Sequence, residues 1–353
     1  VLVGGSFGLQ CFNAAGLKLW DLPAVQEVKA LSPVRGGRVA ALTENGTVAV
    51  VGHSGSLLAH RRFGYDYVTS VELFSDGRVV LGAFTNNWAS NPVQIARVEI
   101  YSWDLQTRQA QTWGQFTASE LDAARNMADT RIYSLAISED EAYVYAAGES
   151  AGGNTIFRYN GLDLVTKTAR DTGTPMWMAK SAAHIGYVAR IRSSDGEVES
   201  GTFVAPILQS KGRLNTFRTR DGGLVHDAQN GAVYLTGTST CCLADRETMT
   251  FAGQSVGGYA GSDTSLIVFT EGLDKRLLWT TFGAESNKGK PAALTLSEGQ
   301  LAIGAVMHGG TAITTENAVQ STPPDLHPCG TSAKPNKDAW VAVVPTRDLQ
   351  SAP

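Results

Sequence analysis

A short strand–turn–strand unit recurs along the chain and constrains the fold more than any other feature of the sequence. In six copies a turn rich in Gly, Asp, Asn or Glu precedes an apolar segment that mostly ends in small residues. These apolar segments are Arg38–Leu42, Arg78–Gly82, Ala142–Ala146, Tyr187–Arg190, Ala232–Gly237 and Gln300–Gly304, and Val1–Gly5 matches the apolar segment alone. Their turns lie about 40 to 70 residues apart, and such a period built only from strands is typical of β-propeller blades.

The repeat predicts an all-β fold, a seven-bladed β-propeller with four-stranded antiparallel blades, as a single domain over residues 1–353. The second strand of each blade is predicted near residues 1–6, 38–43, 78–84, 142–148, 187–193, 232–238 and 300–306. Only Ala118–Ala128 has a helical pattern, with Ser119 as its N-cap, and we place it in a loop between blades.

The chain opens with Val1–Gly5, which matches a second strand. We therefore expect that upstream sequence has been removed, since natural translation does not begin there. The missing innermost strand of the first blade is predicted to come either from upstream residues or from the tail after Val344. In both cases the two termini would meet in one blade.

Both ends of the sequence carry motifs of known repeat families. Asn13, Gly16 and Trp20 form a turn pattern that resembles quinoprotein-type (PQQ-like) propeller repeats over residues 1–22, and residues 47–63 are similar. The C-terminal half resembles bacterial SBBP-type repeats, through VYLTG at 233–237, DTSLIV at 263–268, LWTTFG at 278–283 and DAWVAV at 338–343. These resemblances imply a propeller fold and commonly an exported protein, and they imply no chemistry.

Three insertions make the blades unequal in length. Thr85–Ala96, Ser239–Asp263 and Met307–Lys337 each separate a second strand from a third strand, and in a propeller such links emerge on one face. Long ordered loops are usually functional, and aromatic and Met side chains are enriched in interface cores. The predicted interaction face comprises Trp88, Met249, Phe251, Tyr259, Met307, His308, Leu326 and His327. The alternative is that these side chains pack the loops onto the propeller.

The four cysteines fit no zinc or redox spacing. We predict disulfides and therefore an extracytoplasmic location, either periplasmic or at the cell surface. A bond from Cys329 to Cys241 or Cys242 would join two of the long loops. The other pairing is a vicinal Cys241–Cys242 bond with Cys329 bonded to Cys11, and inert thiols are a third alternative.

Composition excludes several classes of function. The formal net charge is −4 with no Lys/Arg block, which argues against a nucleic-acid partner. No apolar run reaches the length of a membrane helix, so direct membrane insertion is not expected. P-loop, dinucleotide, zinc-protease and EF-hand patterns are missing. We expect no cofactor, with a calcium ion between loops as an open alternative.

The sequence thus predicts a non-enzymatic, secreted scaffold, a protein-interaction or structural subunit of a larger assembly. A protein partner is expected and a small-molecule substrate is not. The alternative is a propeller enzyme that acts on polysaccharide or through a quinone. The adjacent Cys241 and Cys242 are similar to the cysteine pair of quinoprotein alcohol dehydrogenases, but the Trp regularity of those enzymes is missing here.

Overall fold

In the residues that it describes, the structure, a computed structural model, is all-β apart from one short helix and two 3-10 turns. It describes residues 1–87, 90, 93–114, 116–124, 129–151, 156–157, 159–160, 163–167, 184–208, 213–239, 243, 246–257, 263–282, 289–308, 313 and 337–349. The chain divides into two compact units. Unit 1 comprises Val1–Ala146, Thr155–Arg170 and Arg190–Glu199, and unit 2 comprises Ala147–Asn154, Asp171–Ala189 and Ser200–Pro353.

Three antiparallel sheets follow one another in unit 1. Sheet 1 consists of β1 (Leu2–Gly5), β2 (Gly8–Phe12) and β3 (Lys18–Leu22). Sheet 2 consists of β4 (Val28–Leu31), β5 (Arg38–Thr43), β6 (Thr47–Gly52) and β7 (Leu57–Arg62). Sheet 3 consists of β8 (Tyr67–Leu73), β9 (Val79–Asn87), β10 (Val93–Tyr101) and β11 (Arg108–Thr112). Each strand pairs with the next one along the chain, as in a propeller blade.

The helix α1 (Ala118–Ala124) lies between sheets 3 and 4. Sheet 4 contributes residues to both units and consists of β12 (Thr130–Ile137), β13 (Tyr143–Ala151), β16 (His184–Arg192) and β17 (Val198–Val204). A small hairpin of β14 (Tyr159–Asn160) and β15 (Asp163–Lys167) falls between β13 and β16. A second one, of β18 (Ile207–Leu208) and β19 (Arg213–Leu214), follows β17.

Two further sheets belong to unit 2. Sheet 5 consists of β20 (Phe217–Arg218), β21 (Leu224–His226), β22 (Val233–Ser239), β25 (Asp263–Phe269) and β26 (Arg276–Thr281), and both β20 and β21 pair with β22. A 3-10 turn (Arg246–Thr248) and the hairpin of β23 (Thr250–Phe251) and β24 (Gln254–Ser255) lie between β22 and β25. Sheet 6 consists of β27 (Lys290–Ser297), β28 (Gln300–His308) and β29 (Lys337–Pro345), and a 3-10 turn (Thr346–Leu349) follows it.

The described residues therefore form six blade-like sheets, whereas the repeat predicts seven. The predicted second strand near 187–193 explains the difference. It lies in β16, which pairs with β13 and is the third strand of sheet 4. The fourth and fifth copies of the repeat thus belong to one sheet. The sequence counts them as two second strands because β13 and β16 have the same apolar pattern.

Neighbouring sheets within each unit pack through apolar faces. In unit 1, Leu9 of sheet 1 packs with Val39 of sheet 2, and in unit 2, Leu266 of sheet 5 packs with Ile303 of sheet 6. Strands β5 and β6 are apolar at nearly every position and buried on both faces, as expected for strands between two covering layers.

The N-terminal end of α1 differs from the sequence prediction. Thr117 is the N-cap, since its Oγ1 accepts a 3.3 Å hydrogen bond from the Glu120 amide. Glu120 Oε2 in turn accepts a 2.6 Å bond from the Thr117 amide, which completes a capping box. Ser119, the predicted cap, instead lies in the first turn of the helix.

The described tail does not supply a strand to sheet 1. After Val344 the chain forms the 3-10 turn, the Thr346 amide bonds to the Gly299 carbonyl at 2.9 Å, and Leu349 is buried in the core of unit 2. Sheet 1 keeps three strands, with β1 at its edge. The prediction that this tail completes the first blade is wrong for residues 345–349.

The turns that contain Gly36, Ser75 and Glu141 meet at one end of their sheets in unit 1. The contact between the first two turns requires a glycine. A Cβ on Gly36 would lie 2.5 Å from the Ser75 carbonyl oxygen, and the residue has φ +54°. Gly16 has a similar φ of +76° but no atom within 4 Å of its would-be Cβ. A substitution at Gly16 therefore tests backbone strain alone, whereas a substitution at Gly36 tests backbone strain together with a steric clash.

We predict that Gly16→Ala lowers the free energy of unfolding by about 1 kcal/mol, the cost of a left-handed conformation. Gly36→Ala should lower it by a further 1–3 kcal/mol or so, because backbone atoms have to move. Urea unfolding of both variants measures the difference. Equal losses in the two variants would show that the turns of sheets 2 and 3 do not touch.

Candidate interaction surface

Sheet 6 has one face in the core of unit 2 and one face open to solvent. Leu301, Ile303 and Trp340 point into the core. By strand alternation the opposite face carries Ala302, Gly304 and Val306 of β28, flanked by Ala293 and Thr295 of β27 and by Ala339, Val341 and Val343 of β29. We call these eight residues the outer face of sheet 6.

The outer face of sheet 6 is apolar and uncharged. Val341 is 71% exposed and Val343 is 62% exposed, although both are aliphatic. The register places Val341 opposite Gly304, which is opposite Ala293, so small residues lie in the middle of the face. None of these eight residues carries a charge. The nearest charge on this face is Lys290, which is in register with Val306 and lies 3.2 Å from Asp221, so a second apolar surface can approach Val341 and Val343 without desolvating an ion beside them.

Sheet 1 has a similar open face in unit 1. Leu2, Trp20 and Leu22 pack against sheet 2, and the alternate positions point away from it. By register, that face carries Val3 of β1, Gln10 of β2 and Asp21 of β3, and we call it the outer face of sheet 1. Exposed apolar side chains on sheet 1 and in its turns are Val1, Val3, Phe7, Leu17 and Leu19, of which Leu17 and Leu19 are 65% and 62% exposed.

The predicted interaction residues are distributed differently. Phe251 and Met307 are only 2% and 5% exposed, and Met249 packs against the same core. His308 ends β28, where it pairs in register with Lys337. Trp88, Tyr259, Leu326 and His327 lie outside the described residues. The described side chains therefore pack a loop onto its sheet, which was the alternative left open by the sequence.

A buried arginine fixes the described part of the loop between β22 and β25. Arg246 is 1% exposed and donates a 2.8 Å bond to Asp263 Oδ1. It also donates to the carbonyls of Val256 at 2.9 Å and Gly257 at 2.6 Å. Burial raises the pKa of Asp263, and the positive charge of Arg246 opposes this only in part.

The predicted disulfides involve residues that the structure mostly leaves undescribed. Cys241, Cys242 and Cys329 lie outside the described residues. Cys11 is half-buried on β2, in register with Trp20, and is a free thiol in the described part of the chain.

A buried carboxylate of unit 1 accepts hydrogen bonds from four side chains. Glu99 on β10 is buried and accepts bonds from Tyr101 at 2.8 Å, Arg97 at 2.9 Å, Arg108 at 3.0 Å and also Tyr65. Burial favours a raised pKa, but the hydrogen bonds from the tyrosines and Arg97 outweigh it, so the pKa of Glu99 is lowered. This saturated carboxylate stabilises the outer strands of sheet 3.

A similar carboxylate lies in unit 2. Glu149 of β13 is fully buried and lies 2.8 Å from Arg218, 3.6 Å from Arg220 and 3.4 Å from His184 Nδ1. It also accepts a 3.2 Å bond from the Thr219 amide. The partners come from β16 and from the segment that begins with β20, so the cluster ties sheet 4 residues of unit 2 to sheet 5.

The turn contact of unit 1 contains a carboxyl group of a different kind. Glu141 accepts bonds from the Ser75 amide at 2.7 Å and from its hydroxyl at 2.9 Å, and Arg35 lies 3.3 Å away. Glu72 on β8 lies nearby, because Arg35 also acts on it electrostatically. Burial raises the pKa of Glu72 from 4.5 to about 8, and Arg35 and a backbone hydrogen bond offset this only in part.

Concave and metal-binding features are limited in the described residues. A cleft in unit 2 with a volume of about 170 Å³ is lined by Thr202, Phe203, Val204, Phe269, Leu273, Asp274, Lys275 and Arg276. Pockets that enclose a small molecule are usually larger, about 300 Å³ or more. Within the described ranges, no three His, Cys, Asp or Glu residues form a potential metal site, and no helix meets the length and hydropathy of a membrane span.

Comparisons with known proteins include remote structural likenesses. No family model matches the sequence, and no curated protein matches it significantly. The chain is similar to the crystal structure of the tricorn protease, with a TM-score of 0.45 and 8% identity over 98% of this chain. It spans 30% of that chain. It is also similar to BamB from Moraxella catarrhalis, with a TM-score of 0.41 and 11% identity over 89% of this chain and 86% of that one. Neither likeness carries an argument about function.

The sequence predicted an interaction face in the long loops, and it did not predict the two outer faces. A signal was nevertheless present in sheet 6. Its strands read LAIGAV at 301–306 and AWVAVV at 339–344, so apolar residues occupy both alternating sets of positions. Strands with this pattern are usually covered on both faces, and here one face is not.

We predict a specific pH dependence from Glu72. Because the pKa of Glu72 is about 8 in the folded protein, Glu72 keeps its proton between pH 4.5 and 8. In the unfolded chain the same carboxyl group has already lost its proton in this range. Raising the pH through this window therefore lowers stability, by up to about 1.4 kcal/mol per pH unit. Glu72→Gln stays neutral and should lose less stability between pH 5 and 9, as measured by urea unfolding. The exposed Glu44 provides the control Glu44→Gln, which should follow wild type; parallel curves for all three would contradict the prediction.

Proposed function

We propose that this chain is a non-enzymatic extracytoplasmic protein, a protein-interaction or structural subunit of a larger assembly. The observation that carries the proposal is the uncharged outer face of sheet 6. Its two most exposed valines are held on a regular strand, so they are presented to solvent without an alternative place to pack.

Exposed apolar area on sheet 6 favours binding to another surface. Burying a valine side chain is worth about 1.5 kcal/mol or more relative to leaving it exposed. Contiguous exposed apolar patches beyond a few hundred Å² are rare on monomers and usually mark interaction sites. A neighbouring protein surface would cover Val341 and Val343 and the small residues beside them at no cost in charge desolvation.

Other parts of the proposal come from the sequence. The resemblance to exported repeat proteins and the four cysteines support an extracytoplasmic location and disulfides among Cys241, Cys242 and Cys329. Seven blades also remain a proposal, which requires one sheet beyond the six described. No contact in the described residues favours the polysaccharide-acting or quinoprotein-like alternative.

We predict that Val341→Asp/Val343→Asp abolishes capture of partners when a tagged chain is isolated from its native source. The new carboxylates would have to be desolvated at the interface. The matched control is Leu57→Asp/Leu58→Asp on β7, where the leucines are 38% and 40% exposed, and it should retain wild-type partners. Quantitative mass spectrometry of the co-eluting proteins measures the difference, with a loss of tenfold or more expected.

Circular dichroism of both double variants establishes that they are folded before capture. If the sheet 6 variant retains the wild-type set of partners, the outer face of sheet 6 is not the interaction surface and the proposal fails.

A further inference from the structure

The cleft of unit 2 combines a buried and largely apolar floor with an exposed, charged rim. The floor consists of Thr202, Phe203, Val204, Phe269 and Leu273, and the rim consists of Asp274, Lys275 and Arg276. All eight residues belong to unit 2. With a volume of about 170 Å³, the cleft accommodates one chemical group of a ligand rather than a whole drug-sized molecule.

A β-bulge places Arg276 at this cleft. Side chains alternate along a strand, so residues 276 and 279 would ordinarily point to opposite faces of the sheet. In β26, however, Arg276 pairs with Phe269 of β25 after a shift in register, and Leu277 is the extra residue. The bulge brings Arg276 and Trp279 to the same face, where Cζ of Arg276 lies 4.9 Å from the centroid of the Trp279 ring.

Arg276 lacks the carboxylate partner that other arginines of unit 2 have. Arg218 lies 2.8 Å from Glu149, and Arg246 lies 2.8 Å from Asp263. Among the described residues, no carboxylate oxygen lies within 4 Å of Arg276, and its guanidinium donates no hydrogen bond to the protein. Partial burial lowers the pKa of Arg276, with no negative charge beside it to oppose this. An anionic ligand would supply that charge.

The acidic residue of the rim is already engaged by its own turn. Asp274 Oδ1 accepts a 2.6 Å hydrogen bond from the Thr270 hydroxyl, which itself accepts a 3.1 Å bond from the Lys275 amide. The bond from Thr270 lowers the pKa of Asp274, and the positive charge of Lys275 acts in the same direction. Asp274 is therefore ionised at neutral pH, and the rim as a whole keeps one net positive charge.

We propose that this cleft binds a carboxylate carried by a small apolar group. Arg276 would hold the carboxylate, because a planar guanidinium can donate to both of its oxygens at once. Stacking on Trp279 orders the guanidinium through its face and leaves the N–H donors at its edge available to the ligand. Phe203 and Phe269 of the floor would contact the apolar group.

Two sources present this chemistry, namely the C-terminal residue of a protein partner and a free organic acid. The cleft shares no residue with the outer face of sheet 6, so the inference goes beyond the proposed function. Its test uses defined ligands, and its outcome is separate from the capture of native partners through sheet 6.

Saturation-transfer NMR titrations of the full chain test the inference with three ligands. These are an N-acetylated tripeptide of two alanines and a C-terminal leucine, the same tripeptide with a C-terminal amide, and 4-methylpentanoate. The peptide acid should bind roughly tenfold or more tightly than the amide, because the amide cannot pair with the charge of Arg276. Tighter binding of the peptide acid than of 4-methylpentanoate identifies a chain terminus as the ligand, and the reverse order identifies a free organic acid.

Three variants assign the binding to Arg276. Arg276→Gln should weaken binding of the carboxylates roughly tenfold or more, whereas Arg276→Lys keeps the charge and should lose less. The control is Arg347→Gln, which removes the same charge from an exposed arginine that lies 3.6 Å from Asp348, and it should bind like wild type. Circular dichroism establishes that all three variants are folded.

Three results would overturn the inference. The first is that neither carboxylate binds to the wild-type chain. The second is equal affinity for the acid and amide forms of the tripeptide. The third is wild-type affinity in Arg276→Gln, which would place the carboxylate elsewhere on the protein.

Discussion

Packing of one sheet on the next through uncharged faces is the interaction on which the rest of this structure depends. Apolar sheets stack about 10 Å apart, and that distance has to hold at every strand of both sheets. The chain achieves it by placing glycine where the following sheet inserts a side chain, as at Gly4 and Gly82. The same requirement means that a carboxylate buried within a sheet, such as Glu99 or Glu149, needs hydrogen-bond donors or cations around it.

Three buried or partly buried acidic side chains differ in the partners that surround them. Glu99 and Glu149 are buried, but each is surrounded by donors, including two arginines, so neither is left as an isolated charge. Glu72 is the exception, since its pKa is raised to about 8 and it is largely protonated at neutral pH. A buried carboxylate without a cation beside it is less stable in its charged form, so it takes up a proton at a higher pH.

The sequence predicted the all-β class and most second strands, because β propensity, turn residues and repeat period agree at 38–43, 78–84, 232–238 and 300–306. Its seven copies correspond to six sheets among the described residues, since a third strand such as β16 has the same apolar pattern as a second strand, and only pairing distinguishes them. It also could not show that Phe251 points inwards, because burial of a loop side chain depends on how the loop folds back, nor that β28 extends to Met307 and buries it. The outer faces of sheets 1 and 6 were missed because a strand that is buried on both faces and a strand with one exposed face can have the same sequence pattern.

The central claim is that sheet 6 has a packing face of the same kind as sheet 3, but without a sheet on it. Carbene footprinting of the chain, at a concentration low enough to be monomeric, tests this most directly. Val341 and Val343 of sheet 6 should be strongly labelled, whereas Val80 and Phe84, on the face of sheet 3 that sheet 4 covers, should be protected. Equal protection of the two pairs of residues would contradict the account.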